Sequence, residues 1–540
     1  MTTLQETFQS NPVIPGEFRN EPPTDFSVEE ERQNFLDALE EVRNQMPFEV
    51  PAIINGERIH TTEKIDSIDP SFKDVLIARS ASCTAEHVRQ AVRSARAAFP
   101  AWSRMPAEGR VDILRKAAKI IRKQRHFFAA VCVHEAGKPW KEADADVDEA
   151  IDFIEYYCRA ALEVAGEHRL QPYILGEYND MSYLPVGVVG VIGPWNLPCA
   201  IPTGMTVAAL AAGNTAILKP SENTPLIAKL IVQAFEQAGL PKGVLNFIPG
   251  KGEVAGQELV VHPDVNMIVF TGSREVGLHI IREASVLREG QNFIKKTVTE
   301  LGGKNAIIID ESADLDSAVP EVLYSAFGYS GQKCSACSRL IVLENLYDDC
   351  LERIKDGVES LKVGPSARPE TQVGPLIEQA AVDKVLRFIE LGKKSARLLI
   401  SKEIGALKDQ GFFVPPTVFE VTSEKHELMQ EEIFGPVLTI IKARDFDHAL
   451  QIANSTPYAL TGGVQSRTPS NLRRARVEFE CGNLYLNRPI TGAIVGRQPF
   501  GGYRLSGQGC KAGGPDYLKQ FMVTRHVAEN IMRHGFAPLE

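Results

Sequence analysis

Val186-Gly187-Val188-Val189-Gly190-Val191-Ile192 is a run of β-branched residues spaced by glycines, with no polar residue at any position. A strand wetted on one face alternates apolar and polar residues. This one does not, so it reads as a strand buried on both faces. Similar short runs follow at 215–218, 244–248 and 267–270, with helix-length segments between them. Strand, helix, strand at that spacing predicts βαβ units and a parallel, doubly wound sheet. A second series at 305–309, 340–343 and 437–441 predicts a second α/β unit, with a cleft between the two. Upstream, a helical period over 27–44, 91–99 and 110–130 predicts a mostly helical first third after a short hairpin at 53–59. A Gly- and Lys/Arg-rich loop at 501–514 leads to a terminal strand near 518–527.

Size and composition fit this picture. A chain of 540 residues exceeds one compact core. Its 44% hydrophobic and 24% charged residues are those of an ordinary globular protein. The net charge of −10 is spread along the chain, leaving no basic footprint for nucleic acid. The first 25 residues are polar and lack both a secretory core and an Arg-rich transit pattern. The longest apolar stretch, 183–218, is broken by Pro185, Gly187, Gly190, Gly193, Pro194, Asn196, Pro198 and Gly213, so no membrane helix is expected. Nine scattered cysteines without metal-like pairing fit a reducing cytoplasm and no bound metal.

Five clusters carry chemistry. Gly331-Gln332-Lys333-Cys334 places a cysteine after a glycine that allows close backbone approach. To serve as a nucleophile, its thiol is expected to be brought down in pKa by amides, a helix end or a cation. The other eight cysteines read as small buried hydrophobes. Glu300 opens Glu300-Leu301-Gly302-Gly303-Lys304, 34 residues before Cys334, and is placed where strand ends would line the cleft. Pro194-Trp195-Asn196-Leu197-Pro198 follows the first strand; an Asn amide on a stiff loop is a preorganised donor for an oxyanion, and otherwise a simple turn residue. Lys219-Pro220-Ser221-Glu222 ends a parallel strand, where such sheets bind ligands. Phe270-Thr271-Gly272-Ser273-Arg274-Glu275-Val276-Gly277 lies between strand and helix, so its amides are placed to meet a pyrophosphate, although it is not the GxGxxG pattern.

Together with Glu431-Glu432-Ile433-Phe434-Gly435-Pro436 and Pro499-Phe500-Gly501-Gly502, these motifs stand in the order seen in the aldehyde dehydrogenase superfamily, and the chain resembles it over residues 50–525. The resemblance implies Cys334 as nucleophile through a thiohemiacetal and a thioester, Asn196 and the Cys334 N–H as oxyanion donors, and Glu300 as base for hydrolysis. It implies a cofactor site from Trp195, Lys219, Ser221, Glu222, Gly252, Gly272, Ser273, Gly277, Glu432 and Phe434. A carboxylate at the adenosine ribose favours NAD, with NADP as the alternative.

Finer detail resembles the branch that oxidises glutamate 5-semialdehyde in the second step of proline degradation. Cys334-Ser335-Ala336-Cys337-Ser338, Thr491-Gly492-Ala493-Ile494-Val495-Gly496, Lys511-Ala512-Gly513-Gly514-Pro515-Asp516-Tyr517-Leu518 and Phe18-Arg19-Asn20-Glu21-Pro22 carry that likeness. It implies that Ser335, Gly492 and Ala493 grip the α-carboxylate, that Phe500 lines the site and that Glu149 faces the amino group; by itself Glu149 reads as a solvated helix residue. Cys337, at the variable place, reads as a packed bystander rather than a redox partner of Cys334.

The implied layout is an N-terminal arm at 1–50, a dinucleotide domain at 51–165 and 184–300, an oligomerisation segment at 166–183 and 515–540, and a catalytic domain at 301–514. A homodimer or hexamer and an association with proline dehydrogenase are expected partners. Two other readings stand beside this one: a dehydrogenase for another short or aromatic aldehyde, and a non-catalytic binding relative. The joint presence of Cys334, Glu300 and Asn196 argues against the latter.

Overall fold

The computed structural model describes residues 17–166, 168–170 and 176–531. The outer parts of the expected N-terminal arm and of the oligomerisation segment lie outside the described residues.

The run that opened the reading is the strand Val188–Ile192, buried at every position. It sits inside an eight-stranded sheet ordered Gly507–Gln508, Lys296–Glu300, Met267–Thr271, Val188–Ile192, Thr215–Lys219, Leu245–Phe247, Ala52–Ile54, Glu57–Ile59. The five strands from Lys296–Glu300 to Leu245–Phe247 are mutually parallel. Successive side chains point to opposite faces, and each face has its own core. Val189, Val191, Leu218 and Val269 join one cluster; Val188, Ile192, Ile217 and Ile268 join the other. Helices cover both faces, which is why no position on the central strand is polar. The helix Ala200–Ala211 is apolar all round for the same reason.

A second sheet of seven strands is ordered Arg397–Ser401, Thr417–Val421, Val437–Ala443, Cys337–Leu343, Asn305–Ile309, Thr461–Gln465, Asn483–Leu486, parallel except at Arg397–Ser401. It too is packed on both faces, with Ile307 and Leu340 on one side and Ile308 and Ile341 on the other. Two α/β units are therefore present, as the two series of runs predict.

Four expectations need correction. The first third is less helical than its periodicity suggests, because Phe48–Val50, Lys64–Asp69 and Phe72–Ala81 form a separate three-stranded sheet. Polar and charged residues interrupt these strands, so neither an apolar run nor a clean alternation marks them. The segment 110–130 is two helices, Ala107–Lys123 and Arg125–Ala136, with the break at Gln124. Glu300 does not merely precede a strand: it ends one, Lys296–Glu300. Gly507 and Gln508, placed in the second unit by the sequence reading, pair with Thr299 and Glu300 at the edge of the first sheet. No helix among the described residues is long and apolar enough to cross a membrane.

Candidate active site

Strand order in the first sheet reverses between Val188–Ile192 and Met267–Thr271. Chain leaves both strands at their carboxyl ends there, opening the crevice in which doubly wound sheets take ligands. Asn196 follows one strand, Gly272 and Ser273 the other, and Glu300 ends the next strand out. From Glu300 the chain crosses through Leu301–Lys304 straight into the first strand of the second sheet. The carboxyl end of one sheet therefore meets the amino end of the other, where Cys334 precedes the strand Cys337–Leu343.

The turn leading to Cys334 is strained. Tyr329 and Ser330 have φ of 51° and 56°, a region that non-glycine residues rarely adopt. Both are held: Tyr329 Oη donates to the Ala136 carbonyl at 2.8 Å and Ser330 Oγ to the Gly374 carbonyl at 2.6 Å. Gly331 continues at φ 69°, and a Cβ there would lie 2.5 Å from the Gly435 carbonyl oxygen, so only glycine fits. Beyond it, Asn305 Nδ2 donates to the carbonyls of Cys334 and Ala336 at 2.7 and 2.9 Å, fixing the nucleophile loop to the second sheet.

Asn196 is 5% exposed, and its Nδ2 donates to the Gln332 carbonyl at 3.0 Å, leaving a second amide hydrogen for a ligand. Its own carbonyl accepts from Lys138 Nζ at 2.8 Å, and Lys138 forms a fully buried pair with Asp146 at 3.5 Å. Asp146 also accepts from the Ala200 N–H at 2.9 Å, so this pair pins the whole 194–200 loop. Lys138, Asp146, Asn305 and the buried Tyr485, whose hydroxyl has no protein partner, were missed from sequence. Gly137-Lys138-Pro139 between two helices was the one available signal, since a buried lysine needs an acceptor.

The electrostatics differ from expectation. Burial pushes the Cys334 thiol up to about 12, and the carboxylates of Glu300, Glu432 and Glu149 push the same way, against a single Ser335 N–H. The expected lowering of the thiol is therefore not what burial and these carboxylates produce. The same interactions place Glu300, Glu432 and Glu149 around the sulfur. Burial also raises Glu300 to about 8, against the Gly502 N–H and the Lys511 ammonium, and Glu300 Oε2 has no partner. Glu149 is half-buried on the helix Trp140–Val164 and is raised to about 8, by burial first and then by Asp146. It is thus not the solvated residue its helix position suggests.

Ser335 is buried directly after the nucleophile. Gly492 has φ 74° and faces open space, with Ala493 half-buried beside it. Phe500 is half-buried, its backbone paired with Ala512. Cys337 is buried, and its Sγ donates to the Arg339 carbonyl at 3.4 Å.

The residues expected around a dinucleotide fall into small bonded groups. Lys219, 3% exposed, lies against Gly256, and Glu222 Oε1 accepts the Gly252 N–H at 2.7 Å. Ser273 caps the helix Arg274–Ala284 by accepting from the Val276 N–H, and its hydroxyl proton stays available to a phosphate beside the helix N-terminus. Gly277 lies against Leu301, close enough that a side chain would not fit. Glu432 Oε1 accepts the Gly303 N–H at 3.0 Å, and a Cβ on Gly302 would overlap its carboxylate. Phe434 stands edge-on to Trp195 with ring centres 5.5 Å apart, walling the inner end. Ser221 Oγ accepts from the Asn223 N–H and shapes the turn. The donors, the carboxylate and the aromatic wall fit an adenosine ribose, a pyrophosphate and a nicotinamide in that order.

A parallel-sheet crevice with a half-buried cysteine, a lifted carboxyl group and an asparagine amide defines an aldehyde-oxidising class of site. The family model described as the aldehyde dehydrogenase family matches residues 58–527, and the chain belongs to that family. Within it, the chain is 50% identical over 512 residues to the 1-pyrroline-5-carboxylate dehydrogenase of Geobacillus thermodenitrificans (strain NG80-2), covering 95% of this chain and 99% of that one. Among solved structures it is similar to the Thermus 1-pyrroline-5-carboxylate dehydrogenase with bound NAD, at 45% identity and TM-score 0.94, covering 96% of this chain and 100% of that one. It is also similar to proline utilization A from Bdellovibrio bacteriovorus, at 45% identity and TM-score 0.95 over 98% of this chain, and spans 55% of that longer protein.

Proposed function

We propose that the chain oxidises L-glutamate 5-semialdehyde, the ring-opened form of 1-pyrroline-5-carboxylate, to L-glutamate with NAD. The observation that carries this is Cys334 lying among Glu300, Glu432 and Glu149 at the junction of the two sheets. The relatives at 45–50% identity that bear the dehydrogenase name support it.

In this reading the Cys334 sulfur bonds to the aldehyde carbon while its proton passes to Glu300, whose raised pKa suits it to accept one near neutrality. A neutral thiol beside a base replaces a standing thiolate. The new alkoxide is held by the free Asn196 amide hydrogen and the Cys334 N–H. NAD, held by Lys219, Glu222, Ser273, Glu432 and Phe434, accepts the hydride. After passing that first proton to solvent, Glu300 takes one from the water that cleaves the thioester and hands it to the departing sulfur, restoring the thiol, while the product leaves as the carboxylate and its acid proton goes to solvent. Glu222 at the ribose position disfavours a 2′-phosphate. Ser335, Gly492 and Ala493 take the α-carboxylate and Glu149 the amino group.

Asn196→Ala is expected to lower kcat by about 100- to 1000-fold, the usual loss for one oxyanion donor. Steady-state kinetics check it; a change confined to KM would contradict the role. The substrate assignment is tested by NADH formation with 1-pyrroline-5-carboxylate beside acetaldehyde, succinate semialdehyde and benzaldehyde. A strong preference for the first is expected. Equal turnover of the plain aldehydes would keep the machinery and overturn the substrate.

A cytoplasmic homodimer or hexamer completes the reading. Its support is the strand Glu177–Pro185 paired along its length with Met522–Asn530, whose residues after Met522 are exposed. Association with a proline dehydrogenase supplying the substrate has as its support the likeness to one region of proline utilization A.

A further inference from the structure

The extended segment ahead of the first helix is tied down more densely than a terminal arm without regular structure requires. Glu21 meets Arg122 through two bonds of 2.8 Å, and Thr24 donates twice to Asp144, from its N–H at 2.8 Å and its hydroxyl at 2.7 Å. Both sets end on the helices Ala107–Lys123 and Trp140–Val164. Between them and the tip lies Asn20. Its Nδ2 donates to Asp152 Oδ2 at 2.8 Å and to the Val495 carbonyl at 2.8 Å. Both neighbours are acceptors, so only the NH2 end of the amide satisfies them, and it spends both hydrogens there. The Glu21 N–H completes the grip on Asp152, at 2.7 Å to Oδ1. Phe18 adds a packing contact. Its ring stands edge-on to Tyr156 at 5.2 Å, and a Cβ on Gly496 would lie 3.0 Å from it and 3.2 Å from the Tyr156 ring. Gly496 itself has φ 75° and donates to the Gly513 carbonyl at 2.9 Å, and the Gly513 N–H donates to Tyr157 Oη at 2.8 Å.

These contacts join two parts of the proposed substrate pocket. Val495 and Gly496 end the loop that carries Gly492 and Ala493. Asp152, Tyr156 and Tyr157 belong to the helix that carries Glu149, with Asp152 one turn further along. A substrate whose carboxylate sits on the loop and whose amino group faces the helix is read by the spacing between them. A group that bonds both elements at once sets that spacing.

We propose that Asn20 is a positioning residue for substrate selectivity: its amide clips the 491–496 loop to the Glu149 helix, and so holds the two sites for the amino-acid head at working distance. The inference rests on the function proposed above. The bond to Asp152 is charge-assisted and part-buried, so its loss is felt by the loop rather than absorbed by water. Neither Cys334, Glu300 nor Asn196 is bonded to the arm, and the chemical step is left intact.

The test compares the full-length wild-type chain with Asn20→Ala and Asn20→Asp, measuring NADH formation from 1-pyrroline-5-carboxylate and from propanal, which lacks both head groups. Asp keeps the shape but offers no donor and faces the Asp152 carboxylate. Both variants are expected to raise KM for 1-pyrroline-5-carboxylate about 10-fold with kcat within about twofold, because binding common to ground and transition states is lost. The value of kcat/KM for propanal and the melting temperature should stay close to wild type. An unchanged KM in both variants would overturn the proposal. So would a parallel loss with both substrates and a lowered melting temperature, which marks a structural role only. A wild-type chain with no preference over propanal would instead remove the functional reading, and this inference with it, before any variant is compared.

Discussion

Cys334→Ala is expected to lower NADH formation by on the order of 10⁴-fold or more, the scale of loss when a covalent nucleophile is removed. The expectation follows from the site's composition. Alanine leaves Asn196, the loop amides and the dinucleotide cradle in place, but no other group near the junction can form the covalent adduct. Cys337 is turned to the Arg339 carbonyl, and among the described residues the remaining cysteines are not placed around Glu300 by any interaction. Binding of NAD, followed by fluorescence titration, should survive the change. Residual turnover within about tenfold of wild type would show that the sulfur is not the reacting atom. Because the thiol stands at about 12 in the free chain, iodoacetamide should alkylate Cys334 slowly at neutral pH and faster as pH rises.

Glu300→Gln is expected to show the second largest effect, about 10²- to 10⁴-fold in steady-state turnover, the range for loss of general base catalysis. Glutamine fills the same space but takes no proton from water. Because Glu300 takes the Cys334 proton as well as the water proton, rapid mixing should show the first NADH formed slowly as well as later turnover. A full burst equivalent to the enzyme followed by a stall would place Glu300 after the thioester only. The pH profile carries the sign. A base must be charged to act, and burial holds Glu300 neutral until about pH 8. Wild-type turnover should therefore rise with pH through that value and level above it, and the rising limb should vanish in the glutamine variant. Stability runs the other way. Between pH 4.5 and 8 the unfolded chain has this group charged while the folded chain keeps it protonated, so the site costs stability increasingly as pH rises across that window. The glutamine variant should lack that part of the decline, as melting temperatures measured from pH 5 to pH 8 would show.

Much of this was legible in the residues. Strands buried on both faces announce themselves by being largely apolar, so Val188–Ile192, Asn305–Ile309 and Val437–Ala443 were found within a residue or two. The strand Lys296–Glu300 was not, because its lysine, two threonines and glutamate are set by the sheet edge and the Gly507–Gln508 strand rather than by burial. The motifs around Asn196, Glu300 and Cys334 were recognisable because each pairs a reactive side chain with glycines or prolines that constrain the backbone. Lys138 and Asp146 carry no such mark; a lysine and an aspartate on or beside a helix read as solvated until the fold buries them against each other. Glu149 was given the right neighbourhood only by family likeness, since its periodicity alone argues for water.

The sequence by itself pointed to two parallel, doubly wound sheets and to one cysteine, one glutamate and one asparagine as the proposed seat of the chemistry, because burial pattern and backbone-restricting residues are local properties. Tertiary structure alone decided what those groups are in the free protein. Bringing Glu300, Glu432 and Glu149 around a buried sulfur makes Cys334 a neutral thiol rather than a thiolate, and the same burial lifts Glu300 into the range of a base near neutrality. It also decided that Asn20 reaches Val495 and Asp152, groups 475 and 132 residues away. Charge state and long-range contact depend on the summed field and packing of distant segments, and no local window contains them.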